Sequence, residues 1–126
     1  NLVENYLRDG RLFAYFEKQT PLAFIAVKEI NDTTLEIKNL LTLENNRGRG
    51  YGKSLLQYIE NLYQNKTTFL IGTANSSMTN MLIYTKLGYT YDHKVENFFI
   101  DYYPQEIYEN GMQATDLLYF IKTRVN

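Results

Sequence analysis

The 126 residues are 44% hydrophobic and 21% charged with a formal net charge of -1, which suits a single domain and lacks the positive field that draws in nucleic-acid phosphates. No apolar run approaches the ~20 residues of a membrane span, and residues 1–10 have neither the basic nor the apolar region of a secretory signal, so a cytoplasmic protein with no membrane or nucleic-acid partner is expected. Cysteine is absent, which excludes disulfides, thiolate metal sites and acyl transfer through a Cys thioester.

Leu2, Val3, Tyr6 and Leu7 keep helical spacing as far as Gly10, the residue type that most often closes a helix, so a short helix is predicted to open the chain. Three extended runs follow at 11–17, 22–30 and 34–43, separated by the turn-forming Lys18-Gln19-Thr20-Pro21 and Asn31-Asp32. They predict an antiparallel meander. The run Leu22-Ala23-Phe24-Ile25-Ala26-Val27 is apolar on both faces and predicts a central strand covered by helices on each side. Beyond a glycine-rich loop, Leu55, Leu56, Ile59, Leu62 and Tyr63 form the apolar stripe of a helix starting near Tyr51. Residues 67–73 read as a strand. Asn75-Ser76-Ser77 offers N-cap chemistry to a second helix bearing Met78, Met81, Leu82 and Thr85 on one face, and Gly88 ends it. Two long strands, 89–103 and 115–125, joined through Pro104 and the turn pair Asn110-Gly111, complete the order αβββαβαββ.

The stretch Arg47-Gly48-Arg49-Gly50-Tyr51-Gly52-Lys53 lies between a predicted strand and a predicted helix. Its alternating glycines let backbone N–H groups converge, and the helix adds its positive end, so the loop can hold a pyrophosphate. Two familiar phosphate loops fail on spacing. A P-loop ending in Gly52-Lys53-Ser54 needs glycine where Arg47 stands, and a dinucleotide fingerprint from Gly48 needs glycine where Lys53 stands.

Arg47, Gly50 and Gly52 do meet the pattern Q/R-x-x-G-x-G/A, and here the sequence resembles the GNAT superfamily of N-acetyltransferases. A second stretch, Tyr84-Thr85-Lys86-Leu87-Gly88-Tyr89 following Asn75, is similar to that superfamily's Y-x-K-L-G-F segment. The resemblance covers roughly residues 22–89 and extends through Phe98-Phe99, Tyr103-Pro104 and Glu109-Asn110-Gly111, where it is closest to small bacterial members. It implies a mixed, mostly antiparallel α+β sheet between helices, with acetyl-CoA as cosubstrate in the gap between two splayed parallel strands. The superfamily has a strand and a helix ahead of the elements predicted here, so residues 1–126 are expected to be one N-acetyltransferase domain lacking that N-terminal strand and helix. A missing edge strand exposes backbone groups to a second copy, which makes a homodimer an expectation.

By the same resemblance, the backbone of Leu40, Leu41 and Thr42 pairs with the pantetheine arm, an N–H there polarises the thioester carbonyl, and the 47–53 loop and Asn75 complete the cofactor site. Tyr84 falls at the position of the general acid that reprotonates the departing thiolate. A phenol of pKa ~10 giving its proton to a thiolate of pKa ~8.5 is uphill by only about 2 kcal/mol. Glu36, eleven positions before Arg47, matches a general-base Glu of the histone-acetylating branch. His93, the only histidine, is the alternative base. With no Cys, direct attack of a primary amine in a ternary complex is favoured. The last third is aromatic and acidic, which suits a cationic acceptor by cation–π attraction and by charge. No metal is implied, because the carboxylates lack His partners or a calcium-loop pattern. A member that binds acetyl-CoA without turnover would share the loop and differ only in releasing no thiol.

Overall fold

A computed structural model describes residues 2–7, 10–42 and 50–125. The chain divides into two compact units, Asn1–Phe69 with Thr123–Asn126, and Leu70–Lys122. The fold is α+β, with mostly antiparallel strands and three helices among the described residues.

The first unit is built on strands β1 (Leu2–Leu7), β2 (Gly10–Glu17), β3 (Thr20–Glu29) and β4 (Thr34–Thr42), each antiparallel to the one before it. Residues 2–7, which helical spacing assigns to a helix, form the edge strand β1, running from Leu2 opposite Tyr15 to Leu7 opposite Gly10. Spacing at i, i+1 and i+4 fits either state in so short a segment, and pairing with β2 decides it. The predicted opening helix is thus a strand of the sheet. Gly10 is not a helix terminator either: a Cβ there would run into the Val27 carbonyl oxygen of β3, so glycine is what allows the two backbones to approach.

Helix α1 (Tyr51–Leu62) turns Leu55, Leu56 and Ile59 inward and packs on β3 and β4. They meet a core of Phe13, Ile25, Val27, Leu35 and Ile37, all essentially inaccessible. Each such side chain contributes about 1.5–3 kcal/mol of burial. Lys66 is also buried, but its ammonium is fully engaged, donating to the carbonyls of Asn31 at 2.7 Å and Asp32 at 3.2 Å and pairing with Glu29 at 2.9 Å. The β3–β4 turn is thereby clamped, and the charge is compensated as burial requires.

To the second unit belong most of β5 (Thr68–Ala74), helix α2 (Met78–Lys86), β6 (Thr90–Val95), helix α3 (Phe98–Tyr102), the short strands β7 (Tyr108–Glu109) and β8 (Met112–Gln113), and most of β9 (Leu117–Thr123). Strand β9 lies between β5 and β6 and runs antiparallel to β6. Gly88, at φ +97°, ends α2 as predicted, with the Tyr89 N–H turning back to the Tyr84 carbonyl at 2.9 Å. Residues 89–103 are not one strand. After β6 the chain turns at Asn97, which takes a left-handed φ of 57° while its N–H is held by Asp116 Oδ1 at 3.0 Å, and the aromatic run continues as α3. Asn110 and Gly111, both at positive φ, make the predicted turn, but of a separate hairpin, β7–β8.

Candidate active site

Helix α1 starts without a side-chain cap of its own. Its N-cap is Gly50, left-handed at φ 80°, which offers no capping side chain, and the first turn holds no acidic residue. The first helical bond runs from Ser54 N–H to the Gly50 carbonyl at 2.9 Å, so the N–H groups of Tyr51, Gly52 and Lys53 have no partner inside the helix. A Cβ on Gly50 would meet nothing within 4 Å, so the residue is required by its backbone angle rather than by space. Tyr51 is fixed by stacking on Tyr15, ring centroids 5.3 Å apart. Arg47, Gly48 and Arg49 of the same loop lie outside the described residues.

Strand β4 carries an irregularity at its centre. Ile37 faces Val27 and Asn39 faces Ala26, so Lys38 is an extra residue in the ladder and the pairing phase changes there. Before the bulge, Leu35 and Ile37 enter the core, while Glu36 stands opposite Lys28, largely shielded, with Oε1 3.5 Å from Lys38 Nζ. After it, Leu40, Leu41 and Thr42 pair with Ile25, Phe24 and Ala23. In an antiparallel ladder alternate residues turn both backbone groups away from the partner strand, so part of this stretch presents N–H and C=O to its other edge. Glu36 and 40–42 thus share one strand of the first unit.

In the second unit Tyr84 is 3% exposed, packed against the rings of Tyr89 and Phe120 at centroid distances of 6.4 and 6.2 Å. Burial pushes its phenol well above the usual value, so it stays protonated at any physiological pH. Asn75 ends β5 and spends its side chain on its own chain. Its Oδ1 accepts from the N–H groups of Thr115 at 2.8 Å and Asp116 at 3.2 Å, and its Nδ2 donates to the Gln113 carbonyl at 3.3 Å. His93 sits exposed on β6, Nδ1 2.6 Å from Asp92 Oδ2 and its ring stacked on Tyr119.

The expected cap of α2 takes another form. Ser77 is the N-cap but makes no bond to the helix N–H groups; its hydroxyl donates to Glu109 Oε1 at 2.6 Å. Asn110 Nδ2 donates to the Ser76 carbonyl at 3.1 Å. Sequence reasoning found the Asn110-Gly111 turn but not these contacts, which span more than thirty residues and leave no local signal. Among the described residues no group of His, Asp and Glu gathers in a way that could hold a metal, and no helix is long and apolar enough to cross a membrane.

The sequence model of the acetyltransferase (GNAT) domain matches residues 8–91, more than half of the chain. The chain belongs to the GNAT family of acetyl-CoA-dependent N-acetyltransferases. It is 29% identical over 120 residues to YvbK, an uncharacterised N-acetyltransferase of Bacillus subtilis strain 168, covering 94% of this chain and 77% of that protein. Among solved structures, a GNAT family acetyltransferase from Elizabethkingia anophelis with acetyl-CoA bound superimposes with a TM-score of 0.89 at 30% identity, over 94% of this chain and 79% of the other. A Bacillus subtilis acetyltransferase in complex with CoA follows at 0.87 and 25%, over 95% and 80% of the two chains. The GNAT chain therefore shares the fold of enzymes that hold the cofactor itself.

Proposed function

We propose that this enzyme transfers the acetyl group of acetyl-CoA to a primary amine by direct attack in a ternary complex. The observation that carries the reading is the start of α1, where a left-handed glycine stands in place of a capping side chain and the first N–H groups have no acceptor within the helix, an arrangement that suits a pyrophosphate. Arg47 to Lys53 would form that cradle, and the backbone of Leu40, Leu41 and Thr42, beyond the bulge, would pair with the pantetheine arm. Asn75 would join this cofactor site by the motif match that it shares with Tyr84.

In the reaction the amine nitrogen forms a bond to the thioester carbonyl carbon, the carbon–sulfur bond breaks, and the thiolate leaves. Tyr84 gives the thiolate its proton, and the second proton that the nitrogen loses as the amide forms returns the phenol to its neutral state through water. Burial holds the phenolic proton more tightly, which keeps the donor loaded and makes its transfer to the thiolate more uphill than between free groups. Glu36, shielded at mid-strand, takes the proton of the attacking ammonium directly or through water. The test is release of free thiol from acetyl-CoA across a panel of polyamines, aminoglycosides, amino acids and peptide N-termini. Acetylated product with stoichiometric thiol is expected for at least one amine; cofactor binding without release from any of them would reassign the chain as a binding module.

A further inference from the structure

Helix α2 carries Tyr84, yet its N-cap hydroxyl makes no bond to the helix and no acidic residue stands in its first turn; from that turn Asn80 Nδ2 reaches Thr73 Oγ1 only at 3.5 Å. Shorter contacts come from the β7–β8 hairpin. The hairpin is closed by Asn110 and Gly111, both at positive φ, and extended by Ala114 N–H to the Ile107 carbonyl at 2.7 Å. From its tip Glu109 accepts the Ser77 hydroxyl and Asn110 binds the Ser76 carbonyl. Just behind, Asn75 holds Gln113, Thr115 and Asp116. Ser76 and Ser77 are both buried, so the segment opening α2 is enclosed. A carboxylate at this end of a helix also complements its positive dipole.

We infer that Glu109 is a positioning residue for the reaction, holding the start of α2 through Ser77 so that Tyr84 keeps its place. This rests on the assignment of Tyr84 as the acid. Small displacements of a reacting group are costly to rate and leave ground-state binding alone, so the signature is in kcat and not in the affinity for acetyl-CoA. Glu109→Ala and Ser77→Ala are each expected to lower kcat by about tenfold with acetyl-CoA affinity unchanged and a cooperative melt retained. Glu109→Gln keeps an oxygen acceptor for Ser77 and is expected to recover most of the loss.

The deciding measurement is a double-mutant cycle. If Glu109 acts through Tyr84, adding Glu109→Ala to Tyr84→Phe changes kcat by less than about twofold. Two single losses that multiply in full in the folded double variant would overturn the inference while leaving the acid assignment standing. Full kcat in Glu109→Ala and Ser77→Ala would do the same. Full kcat in Tyr84→Phe would overturn the acid assignment, and the positioning role with it.

Discussion

Helices α1 and α2 both begin without a side-chain cap on their own N–H groups and without an acid in the first turn. At α1 the N-cap is a glycine whose hypothetical Cβ would meet nothing within 4 Å among the described residues. At α2 the N-cap is a buried serine, and a hairpin from the same chain stands before it with a carboxylate and an amide. The hairpin takes the hydroxyl of Ser77 and the carbonyl of Ser76, the residues just ahead of α2, and so fastens the segment that leads into that helix. The two helix starts therefore differ in what holds the chain before them.

Variants can break this contrast, because damage at α1 belongs in cofactor affinity and damage around α2 in turnover or stability. The largest effect is expected at Tyr84. Tyr84→Phe keeps the ring packing and removes the proton donor, so kcat falls by ~10²-fold while acetyl-CoA affinity holds. Stopped-flow or steady-state thiol release together with calorimetry checks it, and normal turnover would reduce the residue to core packing. Because burial raises the phenol, the wild-type rate profile should show no falling limb from this group below pH ~10. The sign follows for stability: an unfolded tyrosine ionises near pH 10, the buried one does not, so stability falls as pH rises beyond that point and Tyr84→Phe removes this contribution.

Next in size is Asn75→Ala, which strands the N–H groups of Thr115 and Asp116 and should cost about 2 kcal/mol, read as a lower melting temperature. Below it stands a matched pair of glycines. Gly50 and Gly111 are both left-handed with nothing within 4 Å of a hypothetical Cβ, so Gly50→Val and Gly111→Val should each lose about 1–2 kcal/mol of stability. Only Gly50→Val should also weaken CoA binding, by about tenfold as a backbone contact to the pyrophosphate is lost. Equal CoA affinities in the two folded variants would remove α1's N-terminus from the site. The smallest effect belongs to Glu36→Gln. It should move the rising limb of the pH–rate profile upward and leave kcat at alkaline pH within about twofold, because an amine already deprotonated needs no base. An unmoved limb would pass the role to water or to His93.

What was legible in the sequence is what short-range periodicity encodes. Leu55, Leu56 and Ile59 announced α1, and the extended runs set off by Lys18-Gln19-Thr20-Pro21 and Asn31-Asp32 announced β2 to β4. Residues 2–7 misled because six residues give too few turns to separate the two periods, and their state depends on β2. Phe98 to Tyr102 misled because aromatic residues favour strands, whereas Asn97 and its bond to Asp116 start a five-residue helix. In the candidate site, Gly50, Tyr84 and Glu36 were visible through motif and spacing. The bonds of Ser77, Glu109 and Asn75 were not, since each joins residues that only tertiary structure brings together.

The extra residue in β4 bears on how relatives are aligned to this chain. With Lys38 in place, the residues on its two sides keep independent phases along the ladder: Leu35 and Ile37 answer to the core, and 40–42 to their own register with β3. Deleting a single codon there would restore a regular ladder in which Asn39 and Leu40 keep Ala26 and Ile25 as partners, and so keep their faces. A one-residue gap at position 38 therefore marks a relative without the bulge, whereas a gap at any other position of the strand would shift inward and outward residues against each other.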